Sequence, residues 1–209
     1  SLNQRGKGMD WAELRGVLLA LMDALAHAHA QGLVHRDIKP ANILFGGKHG
    51  ELKLGDFGVA VDVRGLDQEG LEGYAVGTPN YMAPEQFEGR ICDLGPWTDL
   101  YALGCMVHRL VCGKPPFTAL GFRALHEAHC TWPVPPMIPT MGVPRGLDAW
   151  VRTLLAKNPY ARFSCVADTR AALEGLGEAE PWGEVQSFEA TPTISSETPV
   201  DRPARQPTV

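Results

Sequence analysis

The stretch HRDIKPANIL occupies residues 35–44. It sets a carboxylate (Asp37), an ammonium (Lys39) and a carboxamide (Asn42) close together, directly after a long apolar run. A carboxylate beside a fixed ammonium can accept a proton while the ammonium stabilises developing negative charge. Asn42 and the later Asp56 are hard oxygen donors, the type that holds Mg²⁺ in phosphate chemistry. Strand-like residues between them bring the two oxygens to one rim. Any one of these groups alone is ordinarily a solvated surface residue; the set at this spacing is not.

Upstream, Trp11, Leu14, Leu18, Leu21 and Leu25 recur at helical spacing, so residues 10–31 read as an amphipathic helix. Asp10 and Glu13 form a capping-box pair at its start, and Gly32 supplies the stop. Downstream, strands are predicted at 42–45 and 51–54 around the turn GGKHG, followed by a glycine-punctuated irregular stretch from Asp56 to about Glu85. Residues 98–112 read as a helix apolar almost all round, starting at Thr98 or Asp99, which belongs inside a helical core. Further helices are predicted at 119–129, 146–156 and 166–176, separated by proline-rich loops such as WPVPPMIP.

From Glu178 onward the last 32 residues hold five prolines, four threonines and three serines with few aliphatics. Such a segment buries too little apolar surface to offset its ordering entropy, so 178–209 is expected to be a disordered tail or linker. Thr191 and Thr198, each before proline, are candidate phosphoacceptors there. Residues 1–177 are expected to form one folded unit.

Hydrophobic content of 44% and charged content of 21% belong to an ordinary globular chain. The net charge of −5 argues against a polyanionic partner, so no nucleic acid is expected. The two most apolar runs, 14–34 and 100–113, are interrupted by polar groups or too short to span a bilayer, so no membrane segment is expected. Five cysteines without C-x-x-C spacing read as small core residues in a reducing compartment. His27 and His29 do not share a helix face, and together with His35 they read as core or surface histidines and not as a metal site.

The motifs HRDIKPANI (35–43), DFG (56–58), GTPNYMAPE (77–85), TDLYALG (98–104) and KNPYARF (157–163) stand in the order found in eukaryotic-type protein kinases. The resemblance covers residues 10 to about 176, and the style of the motifs is similar to bacterial serine/threonine kinases. It implies a mainly α fold: the helical C-lobe of the kinase domain, with short β-hairpins around the catalytic loop. It also implies an enzyme that moves the γ-phosphoryl group of ATP, with Mg²⁺, to a protein hydroxyl.

Carried onto this chain, Asp37 resembles the catalytic base and Lys39 the lysine that steadies the γ-phosphate. Lys39 and Thr78 point to serine/threonine substrates. Asn42 and Asp56 resemble the magnesium ligands, and Leu44 the side chain beneath the adenine ring. Lys39, Asn42, Leu44 and Asp56 are thus the expected ATP contacts. Glu85 and Arg162 resemble a buried ion pair, Asp99 the residue that holds the catalytic-loop backbone, and His35 and Phe57 members of a hydrophobic spine.

Two departures from the family pattern shape the expectations. No G-x-G-x-x-G loop, V-A-I-K lysine or partner glutamate helix precedes residue 10. The N-terminal β lobe, absent from this sequence, is therefore expected to be encoded upstream. Arg36 ordinarily meets a phosphorylated loop residue, yet residues 59–76 contain no serine or threonine. One of Asp62, Asp67, Glu69 and Glu72, foremost Glu72, is the expected constitutive substitute, with Tyr74 the only hydroxyl; the alternative is a mobile loop that leaves Arg36 unpaired. A kinase of this type is expected in the cytoplasm, with the full-length protein tethered to a membrane in some relatives. The rival reading is a non-catalytic lobe serving as a protein-binding module. A small-molecule phosphotransferase fits less well, because GTPNYMAPE forms a peptide-substrate platform in protein kinases.

Overall fold

A computed structural model describes residues 1–6, 8–47, 50–56, 61–62 and 78–180. The first long element, α2 (Trp11–Ala30), follows a short α1 (Leu2–Arg5). Asp10 caps α2 as its spacing predicts: Glu13 N–H donates to Asp10 Oδ1 at 2.8 Å and Asp10 N–H to Glu13 Oε2 at 3.3 Å. Gly32 ends the helix with φ 75°, a left-handed conformation that glycine adopts without steric penalty. Trp11, Leu14, Leu18, Leu21 and Leu25 are all buried, so the predicted apolar stripe is the face turned to the core.

Two small antiparallel pairs frame the following loop. Strand β1 (Leu33–Val34) pairs with β4 (Val61–Asp62), and β2 (Ile43–Gly46) pairs with β3 (Glu51–Leu54) in the register Ile43↔Leu54. A short helix α3 (Pro84–Phe87) closes the GTPNYMAPE segment.

The central helix α4 (Pro96–Cys112) starts two residues before the expected Thr98. Pro96 occupies the first helical position, where its missing N–H costs nothing. Thr98 then turns back to accept the Gly95 N–H at 3.1 Å, which leaves Asp99 free of capping work. Nearly every α4 side chain is buried, as an all-round apolar helix demands. Helices α5 (Phe122–Thr131), α6 (Leu147–Leu154) and α7 (Val166–Glu174) complete the lobe. Helix α6 packs on α4 and α7 on α2, and one continuous apolar cluster joins residues of α2, α4, α6 and α7. Residues 178–180 run back beside Val143, with Arg145 Nε donating to Glu180 Oε2 at 2.5 Å.

The cysteines need a correction. Cys105 and Cys112 are buried, but Cys92 is exposed and Cys130 and Cys165 are partly exposed; none is in a disulfide. The mainly α architecture otherwise matches the sequence expectation. No helix among the described residues is long and apolar enough to cross a membrane.

Candidate active site

The loop 35–42 is clamped from two sides. Asp99, in the first turn of α4, accepts the His35 N–H at 2.9 Å on Oδ2 and the Arg36 N–H at 2.7 Å on Oδ1. His29, on α2, brings Nε2 to the same Oδ2 at 2.8 Å. From α3, Gln86 Nε2 donates to the Arg36 carbonyl at 2.8 Å. Both backbone polar groups of Arg36 are thus engaged, which holds it at φ 68° although it carries a side chain.

Three side chains meet in a closed ring at the centre. Lys39 Nζ donates to Asp37 Oδ2 at 2.5 Å and to Thr78 Oγ1 at 2.7 Å. Thr78 in turn donates its hydroxyl to Asp37 Oδ1 at 2.8 Å and its backbone N–H to the same oxygen at 2.9 Å. Asn42 Nδ2 donates to the Asp37 carbonyl at 2.9 Å and to Oδ2 at 3.1 Å. Burial pushes the Asp37 carboxyl upward. The donors from Lys39 and Thr78, the Lys39 charge and Asn42 outweigh it, so the group lies below the usual aspartate range.

The β2–β3 hairpin carries the remaining candidates. Asn42 immediately precedes β2, and Gly55 and Asp56 immediately follow β3, so the pairing brings them to one end. Gly55 N–H donates to the Asn42 carbonyl at 2.8 Å, and the His35 ring reaches the Gly55 carbonyl at 2.8 Å. Asp56 is exposed and stands at φ 59°. Leu44 is 44% exposed, so its side chain is open at the surface of the hairpin. The Asn42 amide nitrogen is committed to Asp37. The Asn42 amide oxygen and the Asp56 carboxylate are hard oxygens of the type that could hold Mg²⁺.

Residues 1–172 match the family model described as "Protein kinase domain". The chain belongs to the protein kinase domain family. Pkn1, a serine/threonine-protein kinase of Myxococcus xanthus, is 40% identical over 162 residues, which are 76% of this chain and 23% of that protein. PknB, a serine/threonine-protein kinase of Mycobacterium tuberculosis, is 34% identical over 171 residues, 79% of this chain and 26% of that protein. A probable serine/threonine-protein kinase PknB of Corynebacterium glutamicum is 36% identical over 172 residues, 78% of this chain and 26% of that protein. The chain therefore spans about a quarter of the length of these relatives.

Within this kinase-family lobe the expected ion pair is present. Arg162 Nη1 and Nη2 donate to Glu85 Oε1 and Oε2 at 2.8 and 2.9 Å, and Thr98 Oγ1 adds a third bond to Glu85 at 2.9 Å. Both charged side chains are fully buried. Two residues of the clamp escaped the sequence reading. Gln86 sits next to the recognised Glu85, and its target lies 50 residues away. His29 reads as one histidine among several until α4 brings Asp99 to it. Phe57, Glu72 and Tyr74, and with them the expected Glu72–Arg36 pair, lie outside the described residues, as do Thr191 and Thr198. Among the described residues the buried Arg36 Nε has no hydrogen-bond partner.

Proposed function

We propose that this chain is the catalytic lobe of a serine/threonine protein kinase, which transfers the γ-phosphoryl group of Mg-ATP to a protein hydroxyl. The observation that carries the reading is the ring of Asp37, Lys39 and Thr78. Asp37 orients the attacking hydroxyl and receives its proton, and its lowered pKa keeps it ionised at neutral pH. Lys39 supplies positive charge where the transferred group develops negative charge, and Thr78 holds both residues in register. Asn42 Oδ1 and the Asp56 carboxylate would hold the magnesium ion, which would neutralise phosphate charge. Leu44 offers an apolar seat for the adenine ring, consistent with its exposure.

Residues 1–177 form the helical lobe in this reading and 178–209 the linker. The protein acts in the cytoplasm in this reading. Serine/threonine specificity is supported by the Lys39–Thr78 bond and by the names of the relatives.

The test uses the whole protein that contains this chain, incubated with ATP labelled at the γ-phosphate and a serine- and threonine-rich protein substrate. Label should reach serine or threonine, and Asp37→Asn should lower the rate by about a hundred- to ten-thousandfold. An Asp37→Asn protein that labels its substrate as well as the parent would overturn the reading and favour a protein-binding module.

A further inference from the structure

Outside the loop just described, three metal-ligating side chains of different chemistry converge. Glu88 follows α3, while His126 and Cys130 lie four residues apart on α5 and share one face of it. One ligand atom from each lies within 4.8 Å of the others. Zinc–ligand bonds of about 2.0–2.3 Å in a tetrahedron place donors roughly 3.3–3.6 Å apart, so about an ångström of side-chain rotation closes the set. We propose that Glu88, His126 and Cys130 bind one Zn²⁺ ion and so tie α5 to the segment after α3.

The donor chemistry selects the ion. A thiolate, an imidazole and a carboxylate suit zinc, whereas Mg²⁺ and Ca²⁺ prefer oxygen donors alone. Binding forms a Zn–S bond and releases the Cys130 proton to solvent, with no change of oxidation state. Three protein ligands leave the fourth position to water.

The surroundings favour the site on two counts. The His126 ring lies 5.6 Å from the Phe87 ring, which fixes its orientation. Its Nε2 is buried without a hydrogen-bond partner among the described residues, a state that normally calls for an explanation. Arg90 Nε donates to Glu88 Oε2 at 2.6 Å, so zinc binding would use Oε1. The inference does not rest on kinase activity, since none of the three residues belongs to the ring around Asp37.

The experiment titrates the metal-free full chain, kept reduced, with Zn²⁺ against a chromophoric zinc chelator, and with Co²⁺ as a spectroscopic probe. One Zn²⁺ per chain is expected, with a thiolate-to-cobalt charge-transfer band in the near ultraviolet. Cys130→Ser and His126→Ala should each weaken zinc binding at least about tenfold, in line with the loss of a direct ligand. Both should retain the parent's circular dichroism in the metal-free state. Cys92→Ser and His27→Ala should leave zinc affinity and the cobalt band unchanged. Absence of stoichiometric zinc binding overturns the proposal. So does binding that survives Cys130→Ser and His126→Ala, or a cobalt band that disappears with Cys92→Ser.

Discussion

Arg162 grips both carboxylate oxygens of Glu85 across 77 residues of sequence, and neither side chain has any exposure to solvent. Removing one partner leaves the other as a buried, uncompensated charge. Arg162→Ala should cost about 3–5 kcal/mol, read as a fall in the urea midpoint. Replacing both residues with leucine should cost less than either single alanine change. A single-variant loss below about 1 kcal/mol would contradict this account.

Asp37 should become less acidic when a donor is removed. Its folded pKa lies below the reference value of 3.8, so its stabilising contribution is fully present above that value. The contribution is lost as pH falls through the folded pKa. Lys39→Met and Thr78→Val should each raise the Asp37 pKa, followed through its carboxyl carbon by NMR titration. An unchanged titration curve in Lys39→Met would remove the charge argument.

His108 gives a second titration of the same sign at a higher pH. Burial pushes its pKa below the usual histidine value, while its hydrogen bond to the Lys114 carbonyl at 2.9 Å opposes the shift. Protonation would place a new N–H at Nε2, which is buried and unpartnered among the described residues. Between the unfolded pKa of about 6.5 and the lower folded value, the unfolded chain binds the extra proton first, so stability should fall as pH drops. His108→Asn keeps a donor for Lys114 but does not titrate, and should flatten the stability profile just below pH ~6.5.

Two glycine-to-alanine changes should have opposite signs. A Cβ on Gly104, in α4, would lie 2.8 Å from Leu154 Cβ and 3.1 Å from Leu155 Cδ2, so Gly104→Ala should destabilise by about 1–3 kcal/mol. A Cβ on Gly16, in α2, would meet nothing within 4 Å. Gly16→Ala should stabilise by about 0.5–1 kcal/mol through helix propensity. Thermal unfolding of the two variants separates the effects.

Gln86→Leu should loosen the loop without disturbing the core. The Arg36 carbonyl loses its donor, and hydrogen exchange at the amides of Arg36 and Asp37 should accelerate relative to the parent. Exchange at parental rates would mean that Asp99 alone secures the loop.

Local signals made α2 and the β2–β3 hairpin readable in advance. The Asp10–Glu13 pair, the leucine stripe and the GGKHG turn act within a few residues of one another, so their physics is visible in the string itself. The start of α4 is hidden in the sequence because Thr98 and Asp99 look like capping residues, while Pro96 fixes the first turn. Pairing of β1 with β4 leaves no mark in the sequence, since two-residue strands carry no period. Of the site, Asp37, Lys39, Asn42 and Asp56 stood out by spacing. Gln86 did not, because nothing near it in sequence marks a glutamine that satisfies a distant carbonyl. Likewise, His126 and Cys130 show helical spacing, but Glu88 joins them only through folding.

Among the described residues other than glycine, Arg36 and Asp56 are the ones with positive φ, and they flank the two ends of the site. Each such conformation carries a cost on the order of 1–3 kcal/mol that glycine would avoid. Arg36→Gly and Asp56→Gly would relax the main chain while deleting a guanidinium and a carboxylate. At these two positions folding and function rank the amino acids in opposite orders. A search for thermostable variants that scores unfolding temperature alone will therefore drift toward glycine there and discard the chemistry unnoticed.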